Sequence, residues 1–223
     1  MKRKGRRLAG AGLILAGLLA CFLAGIRHLK NLRLEQEADD FVQSVLPSLE
    51  KGDQKEAQKQ GEASGEEPVF WLDKNGYLGI LSIPSLELRL PVMADYEESL
   101  LKLAPCRYRG TVEGGDLIIA GHNYRKQFSP IRHIQIGAEV IFTDAASRDI
   151  FYQVKQIDVV DGIAVADMVS GEWDMTLFTC TLNHVARVAV RCVRVEKEDY
   201  FHEKTKMPER IACNSRLCGT AWK

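Results

Sequence analysis

Cysteine is scarce in this chain: six thiols in 223 residues are too few for a disulfide scaffold. An excess of charge of either sign is also missing, because 30 Lys and Arg face 30 Asp and Glu. No surplus of cations is left to neutralise phosphates, which argues against nucleic acid as the main partner. Long apolar runs occur in one place only, near the N-terminus, so a multi-span membrane protein is excluded. There is no P-loop, dinucleotide fingerprint or internal repeat. His28, His133 and His202 make no tight metal spacing with the cysteines, and Asp95, Glu97 and Glu98 lack a calcium-loop spacing, so no metal or other cofactor is expected.

What is present divides the chain into five stretches. Residues 1–7 are a basic tail with five cations, and residues 8–26 are nineteen positions without a charged or strongly polar side chain. At 1.5 Å per residue that run spans about 28 Å, the hydrocarbon thickness of a bilayer. It reads as a single-pass transmembrane anchor, and the cations before it favour a cytoplasmic N-terminus with the body outside the cell. A signal peptide cleaved near Ala20 or Ala24 is the rival reading. Residues 27–68 form a stalk. Phe41, Val42, Val45, Leu46 and Leu49 recur at helical intervals, with Pro47 limiting the far end. The eighteen residues 50–67 then hold no aromatic or branched apolar side chain, which suits a flexible segment. Residues 69–200 form the body, and 201–223 a C-terminal tail of open structure.

The body is a series of short apolar runs broken by turns: YLGILSIP, LELRLPV, GGDLIIAGHN, GAEVIFTD, DIFYQVKQIDVV, MTLFTC and RVAVRCVRV. LELRL and RVAVRCVRV alternate with period two, whereas DLIIA is continuously apolar, as in a strand buried on both faces. Pro84, Pro91, Pro105 and Pro130 fall between runs, where a missing donor is harmless. Short helices fit near 96–101 and 128–134. The class is mainly β, a barrel or a sandwich.

Three residues invite chemistry. Cys180 ends a strand-like run, His122 follows another behind Gly121, and Arg187 opens the next strand seven residues after Cys180. Each has a plain structural reading: a small buried thiol, a histidine held in a turn, a solvated strand cation. Together they match a thiol nucleophile, an imidazole that moves protons near neutral pH, and a guanidinium for an oxygen on which charge develops. That set suits acyl transfer through a thioester.

GHN at 121–123, TLFTC at 176–180 and Arg187 with its strand resemble the sortase family of cysteine transpeptidases on Gram-positive cell surfaces, over about 77–195. The resemblance implies a closed eight-stranded β-barrel with short helices behind the N-terminal transmembrane helix. It implies cleavage of an LPxTG-like C-terminal sorting signal after Thr and transfer of the secreted protein to an amine of a peptidoglycan precursor or a pilin. By motif, Cys180 is then the nucleophile, His122 the proton donor and acceptor, and Arg187 the oxyanion or substrate-backbone donor. Thr179 is expected to shape the substrate groove and Asn123 to orient His122. His184 is a rival base outside the motif.

Only TLNHVA separates Cys180 from Arg187, a short connection for this family, and no long inserted helix lies between GHN and TLFTC; both leave the subclass open. Cys213 with Cys218 and Cys106 with Cys192 are conceivable disulfides. Two other functions share the same residues: a thiol peptidase or amidase with water as acceptor, and a catalytically silent peptide-binding surface module.

Overall fold

The computed structural model describes residues 2–51, 67–162, 166, 169, 171–181 and 185–196. Helix α1, Lys2–Lys51, runs without a break from the anchor into the stalk and extends one turn past Pro47. Leu15, Leu18, Leu19, Phe22, Leu23 and Ile26 are exposed on it, as a helix that contacts lipid requires. It is the one helix among the described residues long and apolar enough to span a bilayer, and as a single N-terminal apolar helix it supports a single-pass anchor. Further along, Ala38, Val42, Val45 and Leu46 are buried. The apolar stripe read from 35 to 49 therefore covers the barrel at β2 and β3 rather than facing water.

The body holds nine strands: β1 Phe70–Leu72, β2 Asn75–Ile83, β3 Leu88–Met93, β4 Cys106–Arg109, β5 Leu117–Ala120, β6 Glu139–Asp144, β7 Asp149–Asp161, β8 Met175–Cys180 and β9 Ala186–Val195. Their order is β1-β2-β3-β4-β5-β8-β9-β7-β6, and β6 also pairs with β2 through Gly79↔Asp144 to Ser82↔Ile141. That pairing closes eight strands into a barrel, with β1 added as a short hairpin arm on β2. β3–β4 and β5–β8 are parallel and the remaining neighbours antiparallel. Closure removes the free sheet edges that an open sheet would expose. β1 and β4 are absent from the runs visible in the sequence, because three and four residues are too few to show a period.

The barrel interior is filled by Leu78, Leu81, Leu117, Ile119, Phe142, Leu177 and Val190, each fully buried. Strand alternation sends Ile118, Ala120, Phe178 and Ala189 to the opposite side, where they form a second cluster. All four residues of β5 are accordingly buried, as its continuous apolar run predicts. Helix α2, Glu98–Leu101, and a 3-10 helix, Ser129–His133, fall where short helices were expected.

Two expectations need correction. Pro91 lies inside β3 opposite Ile80, not between strands. It is tolerated because β3 meets β4 only at Met93↔Cys106, so near Pro91 the strand is paired along one edge. Cys106 and Cys192 are both free thiols, not a disulfide. They sit in separate clusters, with strands β5 and β8 between β4 and β9. Cys213 and Cys218 lie outside the described residues.

Candidate active site

Cys180 is the last residue of β8 and Arg187 is its cross-strand partner on β9. The short connection keeps them opposed: Thr181 N–H donates to the Ala186 carbonyl at 2.8 Å, and Ala186 N–H donates back to the Thr181 hydroxyl at 3.2 Å. This pair of bonds closes the turn directly behind the thiol. Thr181 carries no signal in the sequence that would single it out. His184 lies in the part of this connection outside the described residues.

His122 arrives from the other side of β8. The parallel β5–β8 register ends at Ala120↔Phe178, and Gly121 extends it by donating its N–H to the Phe178 carbonyl at 3.0 Å. The hydroxyl of Thr179 then donates to the Gly121 carbonyl at 2.9 Å. His122 follows Gly121 directly, so it leaves the end of β5 at the rim where the neighbouring β8 ends in Cys180. Thr179 is 1% exposed, so its hydroxyl acts on the groove by pinning the backbone in front of His122. The side-chain carbonyl oxygen of Asn123 is enclosed and accepts no hydrogen bond among the described residues.

Gly121 is required by packing rather than by dihedral angle. A Cβ there would lie 2.3 Å from the ring of Phe128, which is itself fully buried. Gly121→Ala must push that ring or the His122 backbone aside. We expect it to destabilise the protein by about 1–3 kcal/mol, read as a lowered unfolding midpoint, and to depress turnover by displacing the imidazole.

Arg187 is held in two ways. Its Nε donates to the Gly162 carbonyl at 3.1 Å, and its Cζ stands 5.5 Å from the centroid of the Phe178 ring. Phe178 in turn meets Tyr108 edge-on at 5.4 Å, and Tyr108 meets Tyr96 edge-on at 5.2 Å. Because alternate residues share a face, Cys180, Phe178, Arg187 and Ala189 all look out from the barrel on one side. That side carries the thiol and the guanidinium at one end, next to the apolar, aromatic cluster built around Phe178.

Among the barrel thiols only Cys180 is partly exposed, while Cys106 and Cys192 are fully buried. Burial pushes both of the latter up to about 12, which keeps them protonated and unreactive at physiological pH. Brief alkylation of the folded protein near pH 8 is therefore expected to label Cys180 and to leave Cys106 and Cys192 unlabelled in peptide maps. Labelling of either buried thiol at the Cys180 rate would refute that accessibility order. Among the described residues no three His, Cys, Asp or Glu side chains converge on one point.

Residues 81–195, about half of the chain, match the family model described as the sortase domain. Among solved structures, sortase C1 from Streptococcus agalactiae is 28% identical with a TM-score of 0.50, covering 56% of this chain and 71% of that one. A sortase D5 transpeptidase from Clostridium perfringens covers 72% of this chain and 99% of its own at 18% identity and a TM-score of 0.55. Sortase C from Streptococcus pneumoniae covers 70% and 97% at 16% identity and a TM-score of 0.53. The last two likenesses speak for the fold alone. No curated protein matches the chain.

Proposed function

The chain belongs to the sortase family of cysteine transpeptidases, and from that premise we propose that it cleaves an LPxTG-like sorting signal after Thr and joins the protein to a cell-wall or pilin amine. The observation that carries this reading is the register Cys180↔Arg187 with His122 two residues beyond the end of the adjoining parallel strand. In the first half-reaction the Cys180 thiol gives its proton to His122 and the sulfur attacks the Thr carbonyl carbon. The oxygen that becomes negative is met by the terminal N–H groups of Arg187, and the C–N bond breaks as His122 protonates the departing Gly amine. The thioester then receives an acceptor amine. His122 takes its proton, the new amide forms, and the sulfur leaves.

The aromatic cluster supports the choice of signal. Partly exposed Tyr108 and Leu101, packed on buried Phe178 and Ala120, offer an apolar surface near the thiol, suited to the Leu and Pro of such a motif. We further propose that 8–26 span the membrane with residues 1–7 in the cytoplasm, and that 69–200 are the extracellular catalytic unit. Thr179 and Asn123 then belong to the substrate side of the site, Thr179 through the Gly121 backbone.

The test is intact-mass analysis of the full chain in detergent micelles with an LPxTG-type peptide library, with and without short glycine or diamine nucleophiles. A thioester adduct and an amine-joined product are expected. Hydrolysed peptide alone would make it a peptidase, and no adduct on a folded protein with a free thiol would point to a silent binding module.

A further inference from the structure

The loop that carries His122 runs from Gly121 to Phe128, between β5 and the 3-10 helix. It is closed on itself: the His122 carbonyl accepts from Phe128 N–H at 3.1 Å, and the Tyr124 carbonyl accepts from the N–H groups of Gln127 and Ser129 at 3.0 and 3.1 Å. Buried Gln127 ties it to the groove wall, donating to the Leu103 carbonyl at 3.0 Å. Within this loop the rings of His122 and Tyr124 stack, centroids 4.8 Å apart and planes 17° from parallel. The outer end of the loop reaches the helix that leaves the membrane, where Lys126 forms an ion pair with Asp39 of α1. The Tyr124 phenol is held above its usual pKa, first by burial and then by the charges of Glu35 and Glu37 on α1.

From the stack and the ion pair we propose that Tyr124 is a positioning residue for the His122 imidazole, and that the membrane-proximal part of α1 seats the loop that carries both. The physical need is specific. Rotation of an imidazole about its last side-chain bond is broad and poorly defined by local sterics. A ring that must hand a proton to a leaving amine at one atom and retrieve one later benefits from a flat neighbour that fixes its plane. An aromatic face also attracts the imidazolium formed between those steps. Asp39 and Lys126 act at one remove, by holding the loop against a helix whose other face is buried on the barrel. Through them the membrane anchor becomes part of the support of the catalytic centre.

This inference rests on the assignment of His122 as the proton carrier, so the experiment has one arm that needs no turnover. The full chain in detergent micelles is compared with Tyr124→Leu, which keeps an apolar side chain but removes the flat face, and with Tyr124→Phe, which keeps the face and removes the hydroxyl. In peptide cleavage, Tyr124→Leu is expected to lower kcat roughly 3- to 10-fold with KM unchanged, the size set by one aromatic contact. Tyr124→Phe is expected to stay within about twofold of the parent. A loss shared by Leu and Phe, or one that appears in KM alone, would overturn the role. In parallel, histidine-labelled protein is followed by NMR. Ring-current shifts of the His122 imidazole protons are expected in the parent and Tyr124→Phe and absent in Tyr124→Leu. Identical shifts in all three would refute the stack. A parent that shows the shifts but cleaves no peptide would defeat the proposed function and leave the positioning geometry standing. For the helix, Asp39→Lys is expected to lower kcat about twofold, as a partly exposed ion pair allows, and the charge swap with Lys126→Asp to restore it. A swap no better than Asp39→Lys would overturn the part assigned to α1.

Discussion

Cys180→Ala is expected to abolish the acyl-enzyme of the proposed reaction and to leave the barrel folded. The first half follows from the accessibility of the thiols. Cys106 and Cys192 are buried and held protonated, so neither can replace a lost nucleophile at the end of β8. Removal of a covalent nucleophile costs turnover by factors of about 10⁴ to 10⁶ where the rest of the site is intact. The second half follows from position: the residue ends its strand, is partly exposed, and keeps its Cβ and its backbone register with Arg187. Intact mass with substrate peptide should show no +acyl species, and the unfolding midpoint should move little. Turnover that survives the substitution would remove Cys180 from the mechanism.

Arg187→Ala is the next largest effect, a drop in kcat of roughly 10² to 10³ if the guanidinium meets the charge developing on the carbonyl oxygen. The geometry explains why that side chain is ready for the task. Its Nε–H is engaged by the Gly162 carbonyl, and the Phe178 face holds the group from one side. Among the described residues the terminal N–H groups make no hydrogen bond, which leaves them for the proposed oxyanion. Arg187→Lys keeps the charge but has no planar fork, so it cannot satisfy Gly162 and the substrate together; its kcat should lie closer to that of Ala than to the parent. Steady-state kinetics with a matched thermal melt separate the two explanations. Near-normal kcat in Arg187→Ala would make this residue a strand cation that packs on Phe178.

Much of the body was legible in the chain because its signals are local. Seven of the apolar runs are strands, and the continuous run DLIIA is the one strand with all of its residues buried in two clusters. The motif residues at strand ends were visible for the same reason: apolar runs stop where the chain reaches the barrel rim. β1 and β4 were not visible, since their few residues carry no period. Pro91 was misplaced by a rule about donors that fails where a strand has a single neighbour. Tyr124 was invisible as a partner of His122, because a stack between residues two apart depends on how the loop folds on itself.

The sequence by itself determined the apolar N-terminal span and the β character of the body, and it offered the thiol, imidazole and guanidinium proposed for the site, because hydrophobic pattern and residue chemistry are properties of short stretches. Tertiary structure alone decided which strands are neighbours, and hence that β5 runs parallel beside β8, so that the segment holding His122 leaves the sheet next to the strand that ends in Cys180. It decided that the aromatic cluster runs from Tyr96 through Tyr108 to Phe178, joining residues far apart in the chain. It also decided that α1 covers the barrel and reaches the His122 loop through Asp39 and Lys126. Contacts between distant residues are chosen by closure and packing of the whole barrel, and no local preference of the chain encodes them.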